Sequence, residues 1–170
     1  MDVVYQPKFD RTASLVRYLA ETSGLVSWIQ QQTVDVSWIS STQRDTLVRL
    51  AHYSTRIEGN PLTLPEVEAL AEGKDLAVEG RAKREVLNYF AALRWLWRSR
   101  AKKISESDLL TLHKILTQGL LPKSESGDYK QRPNAVFSGS RIIYKPPPPE
   151  AAPLLTRSLL HWINAPKTLE

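Results

Sequence analysis

Pro146-Pro147-Pro148-Pro149 is the stretch that most limits what this chain can fold into. Four successive residues lack a backbone N–H and have φ held near −65°, so neither a helix interior nor an inner strand can pass through them. The tract is expected to be extended, and it separates two different textures. Before it, Ala135-Val136-Phe137, Ser138-Gly139-Ser140 and Arg141-Ile142-Ile143-Tyr144 read as strand, turn and strand. After it, from Glu150, the residues Leu154, Leu155, Leu159, Leu160, Trp162 and Ile163 recur at helical spacing. Such a tract serves as a rigid spacer or as a ligand for a proline-reading domain, and the spacer is the commoner use.

Upstream the pattern is helical throughout. Residues 1–11 read as an extended arm, with Pro7 opposing a helix. Leu15, Leu19, Thr22, Val26 and Ile29 predict a helix from about Thr12, with Gly24 a point where it can split. Residues 32–39 form a connector. Ser40 and Gln43 make a capping box for the next helix, whose face carries Leu47, Leu50, Ala51, Ser54 and Ile57. Gly59 suits the left-handed position that ends a helix, and Pro61 prevents continuation. Thr63 and Glu66 form a second capping box, before Leu64, Val67, Leu70 and Ala71, with a stop near Gly73. A polar link, 74–80, leads to a long helix from about Glu79 to Arg98. Its expected buried stripe is Ala82, Val86, Tyr89, Phe90, Leu93 and Leu96 or Trp97, with Arg81, Lys83 and Arg84 on the wet side. Ser105 and Asp108 open a further helix through Leu109, Leu112, Ile115 and Leu116, stopped at Gly119, and residues 121–133 are loop-like. The expected fold class is mainly α: a helical bundle with one small β-hairpin at 135–144. A lone hairpin is marginal in water. It serves either as a docking edge for a partner strand or as a structural flap over the bundle end.

The 170 residues suffice for a real core. The absence of cysteine excludes disulfides, thiol catalysis and thiolate zinc. A net charge of +5, mostly scattered, disfavours dedicated nucleic-acid binding, and a basic helical binder of duplex DNA is the weakest reading. No apolar run approaches a membrane span and the N-terminus lacks signal-peptide character, so a soluble, cytoplasmic protein is expected. His52, His113 and His161 have no ligand-like spacing and are expected in structural or surface roles. No catalytic constellation and no metal site is read from these residues. Glu58 closes a helix, where the macrodipole disfavours a carboxylate. Ser54 lies one turn earlier on the same face, so the pair is either a local hydrogen bond at a helix end or a functional group.

Taken in order, several segments resemble the Fic family. Ser54-Thr55-Arg56-Ile57-Glu58-Gly59 matches that family's inhibitory motif, Ser/Thr-x-x-x-Glu-Gly/Asn, and Asn60-Pro61-Leu62-Thr63-Leu64-Pro65-Glu66-Val67 is similar to the segment usually found after that motif. Glu85-Val86-Leu87-Asn88-Tyr89 resembles a helix of the Fic core. Leu112-His113-Lys114-Ile115-Leu116, Gly127-Asp128-Tyr129-Lys130, Val136-Phe137-Ser138-Gly139 and Tyr144-Lys145-Pro146-Pro147-Pro148 resemble the stretches leading into and out of the family's flap. Trp162-Ile163-Asn164 is similar to the helix after it. The resemblance covers about residues 50–164.

The resemblance implies a helical bundle of the Fic type that transfers AMP from ATP, with Mg2+, to a hydroxyl of a target protein. It divides the chain into an N-terminal helical region, 1–75, with the inhibitory helix at about 40–59, and the first part of the Fic core, 76–170. It makes Glu58 the inhibitory carboxylate that blocks the γ-phosphate site by pairing with an Arg of the catalytic motif, with Ser54 as helper and Gly59 ending the helix. Phe137, Ser138 and Gly139 fall on flap positions near the nucleotide. Ile142, Ile143 and Tyr144 fall on the strand that docks an extended segment of a target protein. The catalytic signature, His-Pro-Phe-x-Asp/Glu-Gly-Asn-Gly-Arg, is absent. The chain is therefore expected to be the N-terminal part of a longer protein or a truncated product, inactive alone and binding neither ATP nor Mg2+ tightly. Its expected partners are the C-terminal Fic core or a separate chain supplying it, the target segment and, as a further option, a second copy. The alternative is a non-enzymatic interaction module, or an antitoxin-like inhibitor of a separate Fic enzyme.

Overall fold

The computed structural model describes residues 5, 7–32, 39–77, 80–99 and 103–165. The chain forms two compact units, Gln6–Thr46 and Met1–Tyr5 with Leu47–Glu170.

In the first unit, helix α1 (Ala13–Gln31) is capped by Thr12, whose hydroxyl accepts the Leu15 N–H at 3.2 Å. Gly24 does not split it. No α1 side chain is buried, Leu15, Leu19, Val26 and Ile29 included. Periodicity identifies residues that share a face; it does not by itself cover that face. The connector at 32–39 lies almost wholly outside the described residues. Helix α2 spans Ile39–Ile57, so Ser40 lies inside it and not at the cap. A capping residue stands outside helical dihedrals, and Ile39 is already helical.

The core of the second unit is built from Val48 and Ala51 of α2, Leu62, Val67 and Leu70 of α3 (Leu64–Ala71) and the turn before it, and Ala82, Val86 and Phe90 of α4 (Gly80–Ser99). The Thr63–Glu66 capping box is present, and hydrogen bonds from the Thr63 hydroxyl and N–H hold the Glu66 carboxyl below its ordinary range. Gly73, at φ +78°, ends α3. The stripe expected along α4 holds through Phe90 and fails at its end: Leu96 and Trp97 are exposed. A 20-residue helix runs about 30 Å and outreaches the eight-residue α3 and eleven-residue α5 that pack on it. The wet side of α4 is salt-bridged, Arg81 to Glu85 at 3.2 Å and Lys83 to Asp75.

Helix α5 (Glu106–Leu116) opens on the Ser105–Asp108 capping box, whose hydrogen bonds lower the Asp108 carboxyl. Its last carbonyls are taken by a residue of α4: Asn88 Nδ2 donates to Leu116 O and Gln118 O, each at 2.9 Å. Gly119, at φ +70°, closes the turn. Strands β1 (Val136–Ser138) and β2 (Arg141–Tyr144) form an antiparallel hairpin. The turn is two residues, Gly139-Ser140, rather than the expected three; Ser138 pairs with Arg141 and belongs to the strand. Gly139 at φ +59° supplies the positive dihedral that short hairpin turns require. Pro146–Pro148 take no regular structure, with Pro148 extended, but Pro149 opens a 3₁₀ turn (Pro149–Ala151) before α6 (Ala152–Asn164). A proline's fixed φ suits the first turn of a helix as well as an extended chain, which is why the tract yields one residue to the helix.

Helix α6 packs on α5. Leu160 is buried, Leu155 and Leu159 are half-buried, and Trp162 is 36% exposed. Tyr5 lies against this helix: its N–H donates to Ser158 Oγ at 2.6 Å and its ring meets Trp162 edge-on at 5.3 Å. Asn164 closes the far end, its amide bonding both the N–H (2.9 Å) and the carbonyl (2.7 Å) of Ile104.

Candidate functional site

The sequence-predicted residues fall in two places. Ser54, Glu58 and Gly59 lie together at the C-terminal end of α2. Phe137, Ser138, Gly139, Ile142, Ile143 and Tyr144 lie together on the hairpin. Among the described residues no hydrogen bond or ion pair joins the two groups.

The end of α2 is defined by two backbone bonds. Asn60 N–H reaches back to Thr55 O at 3.1 Å and Gly59 N–H to Arg56 O at 3.0 Å, with Gly59 at φ +90°. This is the Schellman arrangement, which needs a residue free to adopt the left-handed conformation. Ser54 does not bond Glu58. Its hydroxyl accepts from Tyr89 Oη of α4 at 2.8 Å. Glu58 is exposed, and its carboxylate makes no ion pair or hydrogen bond among the described residues. The local hydrogen bond considered for this pair is therefore not formed.

Sequence reasoning missed the residue that fixes this end. Asn60 is 5% exposed. Its Nδ2 donates to Ala82 O and to Glu85 Oε2, each at 2.9 Å, and its Oδ1 accepts from Leu62 N–H at 3.1 Å. One side chain thus ties the end of α2 to the start of α4 and turns the chain toward α3. An Asn after a helix-ending Gly reads as loop chemistry, and only the arrival of α4 makes it a buried node. His52, also buried, lies edge-on to Tyr53, and its ring nitrogens have no hydrogen-bond partner among the described residues. His161 is exposed.

The hairpin is exposed on every residue. Its register pairs Val136 with Tyr144, Phe137 with Ile142 and Ser138 with Arg141, leaving Ile143 as a bulge. The bulge keeps Tyr144 opposite Val136 and brings Phe137 and Ile142 to one face, since cross-strand partners share a side. Both faces thereby present apolar side chains to solvent, and no third strand pairs with either outer edge among the described residues.

A cleft of about 680 Å³ lies beside the hairpin's base, lined by Leu109, Leu110 and His113 of α5, by Tyr129 and Lys130, and by the run 131–134 into β1. His113 Nδ1 accepts the Gly127 N–H at 3.1 Å, which places its ring proton on Nε2. Tyr129 Oη donates to Glu106 Oε1 at 2.9 Å. Burial, reinforced by the Glu106 carboxylate, raises the Tyr129 hydroxyl above its ordinary pKa. Among the described residues no three His, Asp or Glu side chains converge as metal ligands. No described helix is long and apolar enough to cross a membrane.

Comparison with solved structures decides the architecture. The chain superposes on a Fic family protein from Desulfovibrio desulfuricans G20 with a TM-score of 0.84 over 96% of its own length, at 28% identity. The fold is Fic-like. It also matches a Fic domain containing signaling protein from Bacteroides thetaiotaomicron VPI-5482, with a TM-score of 0.71 over 84% of this chain at 20% identity, which speaks to the fold alone. This Fic-like chain spans about half the length of the structures it matches, 49% of the first and 55% of the second. No family model matches it. The expected mainly α bundle with one hairpin is thus borne out, together with its relation to Fic proteins.

Proposed function

We propose that this chain is the regulatory and target-docking part of a protein AMP-transferase, with Glu58 as its inhibitory carboxylate. The observation that carries the reading is the contrast within one helix end. Gly59 and Asn60 are fixed by backbone and side-chain bonds, Ser54 is held by Tyr89, and Glu58 between them is left exposed. A carboxylate held on a rigid end yet without a partner is available to a cation. In the Fic-like setting that cation is an Arg of the catalytic motif, which would otherwise clamp a phosphate. The hairpin supports the docking half of the reading: its open edges suit an extended target segment added by backbone hydrogen bonds. ATP and Mg2+ belong to the complete protein in this reading, and no step is assigned to them from the residues described.

The test uses the full-length protein. Glu58→Gly is expected to raise auto-AMP transfer from labelled ATP by roughly tenfold or more, and unchanged transfer would sink the inhibitory assignment. Purified chain 1–170 is expected to transfer nothing.

A further inference from the structure

We propose that Lys130 is a positioning residue that closes the base of the hairpin and sets its orientation on the bundle. This rests on the docking role proposed for the hairpin only where activity is measured. The structural problem is created by the proline tract. The β ladder ends at Tyr144, because Pro146, Pro147 and Pro148 have no N–H with which to continue it. Carried past the Val136–Tyr144 pair, the two legs would have no further rungs, yet both must be held together for so short a hairpin to persist. Lys130 supplies the missing tie from outside the sheet. Its Nζ donates to Asn134 Oδ1 at 2.7 Å on the leg entering β1 and to Pro147 O at 2.8 Å on the leg leaving β2. One ammonium, with three donors and no acceptor, thus bridges two legs separated by the whole hairpin.

Lys130 can do this because the loop before it is fastened to α5. Gly127 N–H bonds His113 Nδ1, the Thr117 and Ser126 hydroxyls share a hydrogen bond of 2.8 Å, and Tyr129 Oη bonds Glu106. Gly127 lies so close to α5, at φ +80°, that a Cβ there would meet Lys114 Cβ at 2.8 Å. The hairpin itself is exposed on every residue. Its orientation is therefore carried through the stem, and the tie in the stem is a charged side chain anchored on α5.

The experiment compares wild type, Lys130→Met and Lys130→Arg in the full-length protein. Amide hydrogen exchange of 136–144 is expected to quicken about tenfold in Lys130→Met and to return part of the way in Lys130→Arg. Exchange in α4 and α5, and Tm, should stay put. In Lys130→Met, KM for an extended target segment is expected to rise more than kcat falls. Unchanged hairpin exchange overturns the proposal. So does loss of protection spread over α5 with a lowered Tm, because that is a general structural role. A double-mutant cycle keeps the idea falsifiable if one variant folds poorly: Asn134→Ala and Lys130→Met should be non-additive, and simple addition refutes the bridge. If the exchange results hold but the wild-type protein transfers no AMP, the positioning role stands and the transferase reading falls.

Discussion

The end of α2 and the hairpin are both places where the chain reverses, and they are held in opposite ways. At α2 the reversal is fastened from inside: Ile57, Glu58 and Gly59 are exposed, but Asn60 beneath them is buried. Asn60 directs its hydrogen bonds inside the protein, to Ala82, Glu85 and Leu62, beside a core that includes Phe90 at 1% exposure. At the hairpin the reversal is exposed, its apolar residues face water, and its stem is fastened by the charged bridge from Lys130. A reversal pinned by a buried side chain is rigid and can present one side chain, Glu58, at a fixed place. An exposed one can be repositioned at small cost and leaves its edges open to another strand. The two ends suit the two roles proposed for them, blocking and docking.

The largest effect that would break this contrast is expected at the buried Asn60 node. Asn60→Ala strands the Leu62 N–H, removes the tie to Ala82 O and Glu85 on α4, and should cost about 2 kcal/mol in urea unfolding. A loss below about 0.5 kcal/mol would show that the node carries nothing. Next comes Gly59→Ala, which forces a Cβ into the left-handed region at φ +90° with open space around it. Strain without a clash should cost about 1 kcal/mol, and the same variant should blur the placement of Glu58. The smallest effect is expected on the hairpin. Ile143→Ser replaces a side chain that is 59% exposed and should move stability by no more than about 0.5 kcal/mol. Binding of an extended target peptide by the full-length protein should nonetheless weaken several-fold, measured by titration. An Ile143→Ser variant that unfolds the protein would erase the contrast.

Much of the fold was legible in the residues. Capping boxes at Thr63–Glu66 and Ser105–Asp108, and glycines at 59, 73 and 119, act through bonds a few residues long, so their sequence signals carry over to the structure almost unchanged. The hairpin was legible for the same reason, and its turn missed by one residue because strand ends depend on register. The grouping of the candidate residues was half visible: local order put Ser54 beside Glu58 and Phe137 beside Ile142. Burial along α4 was legible only as far as partners reach, since Leu96 and Trp97 continue the apolar period beyond the helices that cover it.

What the sequence by itself determined is the set of local devices: where helices start and stop, and where four prolines forbid a ladder. Only the tertiary structure decided which polar side chains hold the pieces together. Asn60, Asn88 and Lys130 form bonds to residues 17 to 30 positions away, apart from their local contacts. No periodicity marks them, because a polar residue's partner is set by which segment arrives beside it in space. The inhibitory reading of Glu58 depends on both. Its place at a helix end is written in Gly59, and the rigidity of that end comes from an asparagine that reads as loop until α4 is packed against it.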